Sequence, residues 1–260
     1  MALIALARLT VADVGRQPAM WFATGLALAA LGLSYLFGQF NFEVQDRLRM
    51  LATAGVAVGV LNGLFLAVVG ASLSVHDELA SRTALTLFAK PVSRGAFLAG
   101  KALGIWLVAA IATLVIAAAH AGLLAWAGYT GFEDADHRDF VAFDRLGVPW
   151  GAVLTAHALG LGHSAVMACI ASVLALRLPL AANVLVSLAV FITGHLLAGF
   201  GTMGGLAVPA LALFNLDDSI QLPGHPVSLG YAGLTMLYSA LYCAGCLFLG
   251  LALLKRQDIS

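Results

Sequence analysis

The sequence predicts an all-α polytopic membrane protein. Six transmembrane helices are expected, with an N-terminal interfacial helix, a short surface helix between the second and third spans, and re-entrant or interfacial pieces before the last. Both termini are expected on the cytoplasmic side. Three observations carry this reading. The 260 residues are 62% hydrophobic and only 10% charged, with a mean hydropathy of +0.98; soluble domains average about 45–50% apolar and about 25% charged residues. Six stretches reach the roughly 20 apolar residues needed to cross a bilayer core, which leaves a single transmembrane domain over residues 1–260. Finally, with the N-terminus inside, the inner segments hold nine basic residues (Arg8, Arg16, Arg82, Lys90, Arg94, Lys101, Arg177, Lys255, Arg256) and the outer loops four (Arg47, Arg49, Arg138, Arg145), the asymmetry of the positive-inside rule.

Formal net charge is zero, with 13 basic and 13 acidic residues, so charge gives no argument for a nucleic-acid partner. Cys169, Cys243 and Cys246 all fall in apolar segments, against a secreted disulfide scaffold. Arg8, Asp13 and Arg16 interrupt the first apolar run, which is not the layout of a signal peptide.

Residues 1–17 place Ile4, Ala7, Val11 and Val14 on one helical face and their charges elsewhere, the pattern of a helix lying in the membrane plane. Pro18 ends it. Spans are expected at about 19–38, 51–75, 102–126, 149–176, 180–200 and 230–254. The second carries Gly55, Gly59 and Gly63 at four-residue spacing, a ladder of small residues that admits a neighbouring helix. Only Arg177, Leu178 and Pro179 separate the fourth span from the fifth, so these form a tight antiparallel pair. Residues 201–229, broken by Pro209, Asp217 and Asp218, read as short re-entrant or interfacial pieces buried against protein. Trp21, Trp106, Trp126 and Trp150 all fall near expected span ends, where indole prefers the interface.

The stretch from His76 to Gly104 organises the rest. Ala80, Ala84, Leu87 and Phe88 share a helical face, and Glu78 precedes Arg82 by four residues, the favourable direction for an ion pair. Pro91 stops the helix. The run Glu78 to Lys101, ELASRTALTLFAKPVSRGAFLAGK, resembles the cytoplasmic coupling region of ABC-2 type transporter permeases, including the NosY-like group. The matching positions are Glu78, Thr83, Lys90, Pro91, Ser93, Arg94, Gly100 and Lys101. Two positions depart: Ala80 stands where many members have a second acidic residue, and Arg82 where they have glycine.

The resemblance extends to the amphipathic elbow before the first span, the pieces before the last, and the basic C-terminal end. It implies a transport subunit with no catalytic residue and no cofactor of its own. ATP and Mg would belong to a partner, a cytoplasmic ABC ATPase subunit docking on the coupling region 76–101 through Asp77, Glu78, Arg82, Thr83, Lys90, Pro91, Ser93 and Arg94. It further implies a second permease copy, as a homodimer, in the cytoplasmic (inner) membrane. The NosY-like group is associated with maturation of a copper enzyme; other members export drugs or lipids. The rival reading is a non-transporting scaffold that recruits or regulates an ATPase. A membrane enzyme is weaker still, because no H-E-x-x-H, G-x-S-x-G or paired intramembrane carboxylates occur.

Four signals inside the spans bear on chemistry. Gly95 to Ala102 nearly spells a phosphate-binding loop, but Ala102 lacks the hydroxyl that holds Mg²⁺ and no strand precedes it; Lys101 reads instead as snorkelling to the headgroups. His120, His157 and His195 lie at a similar depth, about 6, 8 and 5 residues from the outer span ends at about 1.5 Å per residue. Imidazoles at one level suit a metal or a proton, whereas each alone is a helix–helix hydrogen-bonding residue. No metal ligand set is assigned. Cys243 and Cys246, at i and i+3, read first as small packing residues and second as a soft-metal pair. Asn62 and Asn183 read as interhelical hydrogen-bonding residues.

Overall fold

The structure is a computed structural model and describes residues 2–37, 44–80, 92–130, 147–196, 208–222 and 227–255. All regular structure among these residues is helical. Helix α1 (Ala2–Gly15) is followed after Pro18 by α2 (Pro18–Phe37). Helix α3 (Val44–Ala71) continues through a π-helical turn (Ser72–His76) into a last turn (Asp77–Ala80). Then come α4 (Arg94–Thr130), α5 (Trp150–Leu174) and α6 (Leu180–Leu196). A 3-10 turn (Leu211–Phe214), the short α7 (Asp217–Gln221) and α8 (Leu229–Lys255) complete the described chain.

Among the described residues, five helices are long and apolar enough to cross a membrane: α2, α3, α4, α5 and α8. Helix α6, at the position of the expected fifth span, is apolar with 17 residues. The second and third spans are longer than the sequence suggested. Helix α3 starts seven residues before Leu51 and runs past Val75, and α4 begins at Arg94, well before Ala102. Helix α3 passes without a break through the π turn into its last turn.

Helices α3, α4 and α5 pack together as the core, with α8 against α5 and α4. Leu48, Leu51, Leu66, Ile105, Ile116, Leu159 and Met167 are all fully buried among them. The outer faces of α2, α6 and α8 are apolar and exposed, as at Phe22, Leu185 and Phe248, which suits a lipid solvent rather than water.

Helix α1 is seated on α4, and its buried face is Leu6, Ala7, Thr10 and Val14. This is rotated from the expected face: Ile4 is 58% exposed. The cause lies on α4. Gly100 and Gly104 leave no room for a side chain, since a Cβ at either would lie 2.8 Å from Leu6 Cβ or 2.5 Å from Thr10 Cβ. The backbones therefore meet along this small-residue groove, and α1 turns to fit it. Trp21 Nε1 then donates to Gly15 O at 2.8 Å, closing the corner between α1 and α2.

The segment before α8 is short and broken, in keeping with its prolines and aspartates. Leu211, Phe214, Leu216 and Ile220 are buried. Its backbone is tied to α8: Ala210 N donates to Tyr238 Oη at 2.8 Å, and Tyr231 Oη donates to Leu213 O at 2.7 Å. Irregular backbone is accommodated here because protein groups satisfy it.

Candidate functional site

Of the residues expected to couple to a partner, Asp77, Glu78, Ser93 and Arg94 are described, while Arg82, Thr83, Lys90 and Pro91 lie outside the described residues, as does the expected surface helix over 81–89. The described ones are the last turn of α3 and the first of α4, so the stretch leaves one long helix and returns into another. Asp77 is exposed.

The snorkelling expectation for Lys101 is overturned. Lys101 is 1% exposed and its Nζ donates to Glu78 Oε1 at 2.5 Å and Ser74 Oγ at 3.0 Å. The reason is the length of the helices. Because α3 runs on to Ala80 and α4 starts at Arg94, Glu78 and Lys101 come level on antiparallel neighbours. A buried ammonium needs a countercharge and hydrogen-bond acceptors. The carboxylate and the serine hydroxyl supply both. The Phe97 ring centroid lies 6.0 Å from the same Nζ.

Ser93 and Arg94 also bond within the chain. Ser93 Oγ accepts from Ala96 N at 3.1 Å, an N-cap that satisfies one of the free donors of the first turn of α4. Arg94 Nη1 donates to Leu254 O at 2.8 Å and to Lys255 O at 3.3 Å. A cation on the terminal carbonyls of α8 satisfies acceptors that have no intrahelical partner and complements the helix dipole.

Above this end, the π turn is tied to α5 and α6. Asn183 Nδ2 donates to Ser72 Oγ at 2.9 Å and to Ala171 O at 3.1 Å, and Ser187 Oγ donates to Asn183 Oδ1 at 3.1 Å. His76 Nδ1 lies 3.3 Å from Ala175 O. So Asn183 bridges three helices. Asn62 differs: it is 5% exposed and its side-chain amide has no hydrogen-bond partner among the described residues.

Two of the three histidines expected at one depth meet. His120 Nδ1 and His157 Nε2 are 2.8 Å apart, and His120 Nε2 is 3.1 Å from Leu51 O. A carbonyl can only accept, so His120 carries its proton on Nε2 and accepts at Nδ1 from His157 Nε2–H. The result is a neutral donor chain from His157 through His120 to the α3 backbone. Gly55, Gly59 and Gly63 face this pair and its neighbours. A methyl group at Gly55 would fall inside the His120 imidazole, one at Gly59 would sit 3.5 Å from the His157 ring, and one at Gly63 3.3 Å from Thr113 Oγ1 and Ser164 Cβ. The glycine ladder is a slot for imidazoles as much as for a helix.

His195 is elsewhere. Its ring lies 4.5 Å from Phe191 and 5.9 Å from His163, and its Nδ1 donates to Phe191 O at 2.9 Å. His163, which the depth argument missed, is 1% exposed, with neither ring nitrogen hydrogen-bonded. Phe191 and Phe214 stand edge-on to it at 5.6 and 5.8 Å. The available signal was a second histidine on the fourth span, six residues after His157. Among the described residues no group of three or more His, Cys, Asp or Glu side chains gathers as a metal site.

Trp106 lies twelve residues into α4, half-buried, and donates from Nε1 to Leu161 O of α5 at 3.0 Å. Cys169, Cys243 and Cys246 are free thiols.

The comparisons with known proteins bear on this arrangement. No curated protein matches the chain. The family model described as ABC-2 family transporter protein matches residues 43–259, which takes in the ion-paired ends of α3 and α4, the histidine pair and the whole of α8. By a match over most of its length, the chain belongs to the ABC-2 family of transporter proteins.

Proposed function

We propose that the chain is the permease subunit of an ATP-binding-cassette transporter of the NosY-like group, moving its substrate by alternating access. ATP hydrolysis occurs on a separate cytoplasmic ATPase subunit that holds ATP and Mg and docks on residues 76–101. Two permease copies pair as a homodimer in the cytoplasmic membrane. Each crosses it six times, with α6 as the fifth span and both termini inside.

The observation that carries this reading is the construction around residues 81–91. Glu78 before them and Arg94 after them are both held by other helices, and the buried Lys101 ties α3 to α4. Force applied at these two helix ends passes into the spans, because both ends are fixed to neighbouring helices. Closure of an ATPase dimer against them would move the attached helices as rigid bodies.

The test replaces residues 81–91 by a flexible glycine–serine segment of equal length in the co-expressed complex. The ATPase subunit is expected to be lost from the purified complex, and the permease to remain monodisperse. Retained association with unchanged ATPase turnover overturns the reading. Association that depends on 81–91, with no nucleotide-driven rearrangement of the spans, would identify a scaffold.

A further inference from the structure

We propose that, within the region 76–101, Arg94 is an exception that acts on α8 and not on the ATPase: it is a positioning residue that makes the cytoplasmic end of the last span move with the start of α4. This rests on the transporter reading above and adds the route by which the stroke reaches α8.

Arg94 is part-buried and its Nη1 is already engaged by Leu254 O and Lys255 O, the last described carbonyls of α8. These two groups are 160 and 161 residues away in sequence, so the contact joins the first turn of α4 to the far end of the fold. Ser93 fixes the backbone that carries it by capping that turn. One turn higher, Gly250 brings α8 against Leu98 of α4 and Val173 of α5, where a Cβ would lie 2.6 and 2.7 Å from their methyl groups. Together with the Lys101–Glu78 pair, the ends of α3, α4 and α8 form one foot. Packing at Gly250 alone is non-directional and lets α8 slide. The charge-assisted bonds at its carbonyls fix its axial position.

Two consequences separate this from a docking role. Arg94 should be dispensable for binding the ATPase subunit, and it should be required for α8 to follow α4. Lys101→Met should loosen α3 from α4 without releasing α8.

The experiment uses the intact permease–ATPase complex in nanodiscs, with the three native cysteines replaced and spin labels placed in pairs. Labels at Ala99 on α4, Leu249 on α8 and Leu185 on α6 report on the foot and a reference helix; Leu249 and Leu185 are 59% and 68% exposed. Distances are measured by pulsed electron resonance before and after trapping with ATP and vanadate. In the parent, the Ala99–Leu249 distance should stay constant while Leu249–Leu185 changes. In Arg94→Gln the ATPase subunit should bind within about twofold of the parent, Ala99–Leu249 should broaden, and the Leu249–Leu185 change should be lost. Arg94→Lys, which keeps the charge but not the planar fork, should be intermediate. An Arg94→Gln complex that moves as the parent does overturns the proposal. So does one that loses the ATPase subunit as the 81–91 replacement does. If that replacement itself leaves association intact, the transporter reading fails first, whatever Arg94 does.

Discussion

The ion pair between Glu78 and Lys101 should behave as a unit under mutation. Breaking a buried pair by removing one partner costs about 3–5 kcal/mol, because it strands a charge away from water. Here the lysine is 1% exposed but the glutamate side chain is 24% exposed, so water relieves part of the penalty on that side. Glu78→Gln, which strands the ammonium, is expected to destabilise by about 2–3 kcal/mol. Lys101→Met leaves the more accessible carboxylate and is expected to cost less, about 1–2 kcal/mol. The double variant should recover to within about 1 kcal/mol of the parent, since it carries neither charge and leaves no ion to be compensated. At about 2–4 °C per kcal/mol for a chain of this size, Glu78→Gln should melt about 5–10 °C below the parent. The four tryptophans allow this to be followed by intrinsic fluorescence in detergent micelles. Additive losses in the double variant would refute a buried pair, and so would a Glu78→Gln protein that melts with the parent.

Three further outcomes follow from the packing. Gly55→Ala should destabilise by about 1–3 kcal/mol, because its methyl would occupy the His120 ring position, while Gly59→Ala, with 3.5 Å of clearance, should be nearly neutral; pairing Gly55→Ala with His120→Ala should rescue it in the same melting assay. Asn183→Leu should cost about 1 kcal/mol, the scale of an interhelical hydrogen bond in a membrane, and should raise hydrogen exchange around Ser72–His76, measurable by mass spectrometry. Gly104→Leu should unseat α1 from α4, read as new protease cleavage after Arg8 or Arg16, with α4 itself still protected.

How much of this was legible beforehand depends on whether a property is local or shared between helices. Span existence was legible because length and apolarity are properties of one segment, and α2, α3, α4, α5 and α8 fall where the hydropathy places them. The Lys101 environment was not. Its fate is set by where α3 ends, and the sequence places a polar, amphipathic run there with nothing to mark that the helix continues to Ala80. The histidines make the same point. Depth along a helix can be counted in residues, which brings His120 and His157 level, but facing cannot. That is why His195 was grouped with them and His163 overlooked. On α1, the true contact face follows from a groove of glycines on a helix about a hundred residues later in the chain, and periodicity within α1 alone selects a neighbouring face.

The widened turn at Ser72–His76 has a consequence for how α3 is phased. Above it, the register is fixed by Gly55 and Gly59 opposite imidazoles; below it, by Glu78 opposite an ammonium. The surplus residue in that turn lets both alignments hold on one continuous rod. Deleting a single residue there would rotate everything beyond by about 100°, carrying the carboxylate off its cation while leaving the histidine slot untouched. The two halves of the rod are thus timed separately, and the point where they meet is a natural place for the Glu78 end to turn without disturbing the other.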